Sequence, residues 1–223
     1  LFSGTAITQI DEDFFSRNTE LTDCSIIFSN GKLKTVPEKL FANNKKVTTF
    51  NSLFANTESF ESVPAGLFAN NPEVDSFRML FSGTSLKSVP AGLFANNHKV
   101  TNFQSAFSKT AIQSVPADLF AGCGKVTTFM SCFTGCSELQ SVPAELFKSS
   151  GAFTTVTKTA FNNIFKDCAS LTEVPAGLFD GFTLVTAFND AFNGCASLTT
   201  LPAGLFATNT AVTSFTNVFK GCT

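Results

Sequence analysis

Residues Ser62–Pro90 read SVPAGLFANNPEVDSFRMLFSGTSLKSVP, and the next copy, Ser88–Pro116, reads SVPAGLFANNHKVTNFQSAFSKTAIQSVP. The order aliphatic, Pro, two residues, Leu, Phe, then Val, two residues, Phe, three residues, Phe recurs along the chain. A proline that follows an aliphatic residue falls at 37, 64, 90, 116, 143, 175 and 202, at spacings of 27, 26, 26, 27, 32 and 27. Asp11 takes the same place 26 residues ahead of Pro37, so about eight units are present. A period of this length means stacked coils, each too small to bury its own apolar face.

Two patterns meet within each unit. Phe50 and Phe54, Phe77 and Phe81, Phe103 and Phe107, Phe188 and Phe192, and Phe215 and Phe219 are four apart. That spacing places two rings on one face of a helical turn. A Thr two residues ahead of the first ring, at Thr48, Thr101, Thr127, Thr186 and Thr213, is positioned to cap such a turn. The stretch Leu86–Val89 and its equivalents is short and closed by Pro, which lacks the amide proton to continue a ladder. It reads as a parallel strand whose partners are the same stretches in neighbouring coils. At ~4.8 Å per strand, eight coils extend roughly 40 Å. The pattern predicts one α/β solenoid over 1–223, with a short parallel strand and a short helical turn per coil of 26–27 residues. Repeats of this length belong to the leucine-rich class. The longer interval, 143–174, is one irregular coil.

Phenylalanine decides what faces inward. Of 28 Phe, eight form the column that follows the Leu after the Pro, with Phe14 in place of that Leu in the first coil (Phe15 to Phe206), seven open the ring pair (Phe50 to Phe215), and nine close it (Phe2 to Phe219). Residues that recur once per coil stack along the axis, so these columns predict a buried aromatic spine. Burying one such side chain stabilises by ~1.5–3 kcal/mol, and only stacking provides the burial.

Composition excludes several partners. With 15 basic and 17 acidic residues the net charge is -2. That gives no electrostatic footprint for nucleic acid, and no run of Lys or Arg is long enough to grip an anionic membrane. No stretch of ~18 apolar residues is present to insert into a bilayer. No cofactor or metal is implied. His98, the one histidine, sits in the polar turn FANNHKV, and without a second His, a nucleophile elbow or a phosphate loop no catalytic constellation can be assembled. Cys136, Cys168, Cys195 and Cys222 lie three residues after the closing Phe, where other coils have Thr5, Gly31, Thr57, Thr84 and Thr110. A position that accepts Thr or Gly asks for a small buried residue, so all seven cysteines are expected to be free thiols. The Asn pairs beginning at Asn43, Asn70 and Asn96 are expected to serve turns.

The runs AFNGCASLTTLP (Ala191 to Pro202), IFKDCASLTEVP and CFTGCSELQSVP resemble the BspA-like leucine-rich repeats of bacterial surface proteins. The shared pattern is an aromatic, two residues, Cys, two residues, Leu, two residues, aliphatic. The units here depart from it in running longer and in often having Thr or Gly for Cys. The resemblance implies a secreted or cell-surface bacterial protein, non-enzymatic, that attaches to a host or neighbouring cell through a protein ligand.

Two surfaces are candidates for that contact. The first is the pair of positions between the strand's Leu and its aliphatic residue, where Lys34, Glu61, Lys87, Gln113 and Gln140 vary while Thr35, Ser62, Ser88, Ser114 and Ser141 stay small. Alternation turns at least one of each pair outward, making a long polar face of the kind solenoids use for proteins. The second is the irregular coil with its neighbour, where Phe153, Phe182 and Leu184 belong to none of the three aromatic columns. They form either an exposed docking patch or a cluster in which Phe153 packs on Phe182 and pins the longer loop. A rigid spacer with no ligand is the alternative to a binding module, and an ice or mineral binder is disfavoured by the mixed composition of the rows. Both termini cut the repeat at nearly the same phase with no polar cap, which leads to an expected fragment of a longer array that self-associates end to end.

Overall fold

The computed structural model describes residues 1–148 and 156–223. They form a stack of coils in which part of each coil's backbone bonds to residues about 26 positions away and the rest closes turns within the coil. Phe50, Ser52, Phe54 and Asn56 donate their amides to the carbonyls of Ser76, Arg78, Leu80 and Ser82, at 3.2, 2.8, 3.0 and 2.7 Å. Phe77, Met79, Phe81 and Gly83 do the same one coil further on, to Asn102, Gln104, Ala106 and Ser108.

This ladder replaces the expected helical turn. Among the described residues there is no α-helix and no strand longer than a single bridge. The alternate residues close tight turns instead: Leu53 donates to the carbonyl of Phe50, and Thr57 to that of Phe54. Ser52 and Asn56, third in these turns, have φ of 55° and 57°, the signature of a type II turn. Every complete coil repeats the device, as at Met79 and Gly83 or Ser105 and Lys109. Two successive four-residue turns therefore put a ring inside at every fourth residue, as a helix does, but leave half of the amides free for the next coil.

The threonines named as caps have another role. Thr48 Oγ1 donates to the Thr22 carbonyl of the preceding coil at 3.1 Å, and Thr101 and Thr127 repeat the contact at 3.2 and 3.0 Å. The local acceptor is the next residue along, as when Asn102 Oδ1 accepts from the Gln104 amide at 2.8 Å. That next residue also forms the parallel bridges, which run Asp23–Thr49–Ser76–Asn102–Thr128 and resume at Ala187–Ser214. The pairing expected over Leu86–Val89 is sparser: Glu61 and Ser62 both donate to the Lys34 carbonyl at 2.9 and 3.4 Å, Gln113 to that of Lys87 at 3.3 Å and Gln140 to that of Gln113 at 3.0 Å. The polar pair of that stretch faces water, and its flanking aliphatic residues are buried.

The aromatic spine is as the repeat implies. In the closing column Phe28, Phe54, Phe81, Phe107 and Phe133 are buried and stack ring on ring at 5.6–5.7 Å. Rings of the other two columns fit between, edge-on or tilted, as Phe68 does between Phe50 and Phe77 at 4.9 Å from each. Such pairs add ~0.5–1.5 kcal/mol beyond the area they bury.

A polar column lies beside the rings. Asn44, Asn71, Asn97 and Asn209 are buried, and each Nδ2 donates to two carbonyls of the preceding coil. Asn44, Asn71 and Asn97 are the second members of the Asn pairs, Asn209 follows Thr208, and all four hold coil to coil. The first members stay exposed, with Asn43 and Asn96 reaching back to the Ser16 and Ala69 carbonyls at 3.3 and 3.0 Å. Cys123 occupies this column in its coil, with its Sγ 3.7 and 3.8 Å from the carbonyls of Phe94 and Asn97.

Candidate functional site

The first candidate face is built by the stretch between two buried columns. Leu33, Phe60, Leu86, Ile112 and Leu139 point inward on one side, and Val36, Val63, Val89, Val115 and Val142 on the other. Lys34, Glu61, Lys87, Gln113 and Gln140 are all exposed between them. So are Thr35, Ser62, Ser88, Ser114 and Ser141, so both positions of each pair face water. The side chains are held in register by the backbone, since Glu61 donates its amide to the Lys34 carbonyl at 2.9 Å. Gln113 Nε2 also donates to Glu138 Oε2 at 3.2 Å. At one end the face dips into a groove of about 450 Å³ lined by Thr8, Gln9, Ile10, Lys34, Thr35 and Pro37.

The second candidate patch divides. Phe153 lies outside the described residues. Phe182 is not a surface residue: at 5 % exposure it meets Phe161 edge-on with 4.8 Å between ring centres. It stands three residues after Phe179, the place of Asn44, Asn71 and Asn97 in their coils, so its side chain enters the column of the buried asparagines. Its carbonyl accepts from Asn209 Nδ2 at 3.3 Å. The signal was available in that offset of three from the column Phe. Leu184 alone is on the surface, 60 % exposed.

The thiols are placed for packing and hydrogen bonding. All seven are free, and all but Cys222 are buried. Cys136, Cys168 and Cys195 donate to the carbonyls of Phe107, Phe133 and Phe165 at 3.0, 3.2 and 3.2 Å, the contact that Thr57 makes to Phe28 at 2.7 Å. Burial pushes Cys24, Cys123 and Cys195 up to about 12 and Cys136 to about 11, from the ordinary 9.0. Thiolate chemistry is suppressed at such sites. His98 is exposed and donates through Nδ1 to the Gly122 carbonyl, 2.9 Å away in the next coil. Among the described residues no three or more His, Cys, Asp or Glu side chains converge to hold a metal, and no helix is long and apolar enough to cross a membrane.

No family profile and no curated protein matches the sequence. Solved structures do. The leucine-rich repeat domain of the type III effector XopL superposes on 95% of this chain and 66% of its own, with a TM-score of 0.67 at 14% identity. The chain thus spans just under two thirds of that domain. A chain of the Toll–Spatzle complex of Drosophila matches over 95% of this chain and 28% of its own, with a TM-score of 0.48 at 16% identity. The leucine-rich repeat domain of APL1 matches over 72% and 37%, with a TM-score of 0.47 at 15% identity. The likeness to the XopL domain establishes the fold as a leucine-rich-repeat solenoid.

Proposed function

We propose that this leucine-rich-repeat solenoid is a non-enzymatic protein-binding module of a bacterial surface protein, exported from the cell and used for attachment. The observation that carries the reading is the exposed face from Lys34 to Gln140, where five coils present varied polar side chains on a backbone held in register. Solenoids bind proteins through such extended faces because stacking fixes the spacing of side chains without ordering loops. The resemblance of Ala191–Pro202 to BspA-like repeats supports the surface location and the attachment role, and Phe192, Cys195 and Leu198 of that run are buried together. The non-enzymatic reading is supported by the chemistry at hand, since the single imidazole is spent on a backbone carbonyl and six thiols are buried.

The test is binding of the full chain to immobilised extracellular-matrix glycoproteins and to whole host cells. Binding that falls at least tenfold, about 1.4 kcal/mol, on replacing Lys87 and Gln113 by Ala with an unchanged melting temperature supports the face as the site. A rigid spacer is the second reading, favoured by the continuous ring stack from Phe2 to Phe219. A chain that binds none of these targets while its melting temperature is high fits the spacer and removes the binding module.

A further inference from the structure

Up to Lys99, two columns of exposed side chains change sign from one coil to the next. The residue ahead of Leu21, Val47, Val74 and Val100 is in turn Glu20, Lys46, Glu73 and Lys99. The residue after Leu33, Phe60 and Leu86 is in turn Lys34, Glu61 and Lys87. The first column is satisfied within the chain: Lys46 Nζ lies 2.6 Å from Glu20 and Lys99 Nζ 2.5 Å from Glu73, each pair joining adjacent coils. The second column takes part in neither of these ion pairs, although the Glu61 amide bonds to the Lys34 carbonyl and the two residues are next-door neighbours. Its alternating charges are exposed and left to face outward.

We propose that this second column is a homophilic contact, and that its partner is a second copy of the same chain, antiparallel, about a twofold axis passing between Lys34 and Glu61. The inference rests on the attachment reading above and names its ligand. A twofold interface sets residue i against j of the other copy and j against i. Two adjacent coils of opposite sign are therefore their own complement: Lys34 meets Glu61 of the second copy, and Glu61 meets its Lys34. One coil further out, Lys87 falls opposite Thr8 of the second copy, the residue in the same place one coil before Lys34, so no like charges meet. Thr8, Gln9 and Ile10 present no charge to Lys87 there. The small Thr35, Ser62 and Ser88 alongside let the two faces approach. An antiparallel pair suits copies carried on two facing cells. Exposed ion pairs are individually weak, so the contact works through many copies and is sensitive to salt.

Sedimentation velocity of the full chain, at about 20 mM and about 500 mM salt, tests this. The expected result is a concentration-dependent dimer at low salt whose dissociation constant rises by about tenfold or more at high salt. Lys34→Glu should abolish the dimer, and the swap Lys34→Glu with Glu61→Lys should restore it, since the swapped pair is again its own complement. Melting temperatures of both variants keep folding separate from association. A wild-type chain that stays monomeric at low salt, or a swap that fails to restore the dimer in a folded protein, overturns the proposal. Beads coated with the chain supply the second arm. If they remain dispersed while the soluble chain still binds matrix glycoproteins, homophily falls and the attachment reading stands.

Discussion

Cys136, Cys168 and Cys195 show how one column accepts different residue types. The three thiols and the Thr57 hydroxyl donate to the carbonyl of a Phe in the preceding coil, while Thr84 and Thr110 donate to the Phe of their own coil, so Thr and Cys both find a carbonyl partner there and differ in ionisation. Burial raises Cys136 to about 11 and Cys195 to about 12, and also raises Cys168. In the folded chain these groups hold their protons above the pH at which the unfolded chain releases them, near 9.0. Linkage then runs in one direction: the stabilisation is complete below pH 9, and is lost as pH rises from there towards 11 to 12. The melting temperature should fall over that range, and should fall less in a variant with Cys136, Cys168 and Cys195 replaced by Thr. An identical alkaline profile for the two proteins, followed by differential scanning calorimetry, contradicts buried neutral thiols.

The four-residue turn is the unit at the next scale, and its left-handed residues decide which substitutions it accepts. Gly194 has φ of 80°, and a Cβ there would lie 2.5 Å from Asp167 Oδ1 in the preceding coil. Gly83 stands in the same relation to Asn56 and Gly135 to Lys109, at 2.7 and 3.0 Å. A longer residue in one coil thus leans over a glycine in the next. Gly194→Ala adds backbone strain to a clash and is expected to cost about 1–3 kcal/mol in chemical denaturation. Gly124→Ala is the control. That glycine has no left-handed φ and nothing within 4 Å of the added methyl, so the change should be neutral or stabilise by about 0.4–1 kcal/mol. Equal losses at both sites contradict the turn argument. The sequence signal for these turns was the Gly two residues after Phe81, Phe133, Phe192 and Phe219, which no helix requires.

Along the whole molecule each coil contacts only its neighbours, so a residue that breaks a column is felt in the coils on both sides. Phe182 does this where its coil would otherwise have an asparagine. It fills the space against Phe161, and its carbonyl still receives Asn209 of the following coil. Phe182→Ser removes a buried ring and is expected to cost about 3–5 kcal/mol, as for other large-to-small changes in cores. Attachment measured on folded protein at low temperature should not change. A variant with an unchanged melting temperature and lost binding restores the docking role for Phe182. The irregular coil interrupts a second feature, for among the described residues the parallel bridges stop at Thr128 and resume at Ala187.

Periodicity in the sequence was enough for the solenoid, the three aromatic columns, the free small-residue position filled by Cys or Thr, and the outward face from Lys34 to Gln140. Each depends only on a residue type recurring once per coil, and stacking turns recurrence into contact whatever the local backbone does. The conformation between the rings was not legible in the same way. A ring at every fourth residue satisfies a helix and a pair of type II turns equally, and the choice lies with amides whose acceptors are about 26 residues away. The same holds for Thr48 and Asn44, whose polar groups bond to carbonyls of the preceding coil rather than to their own turn. Those partners exist only once the coils are stacked, because hydrogen-bond satisfaction in a solenoid is settled between coils and not within one.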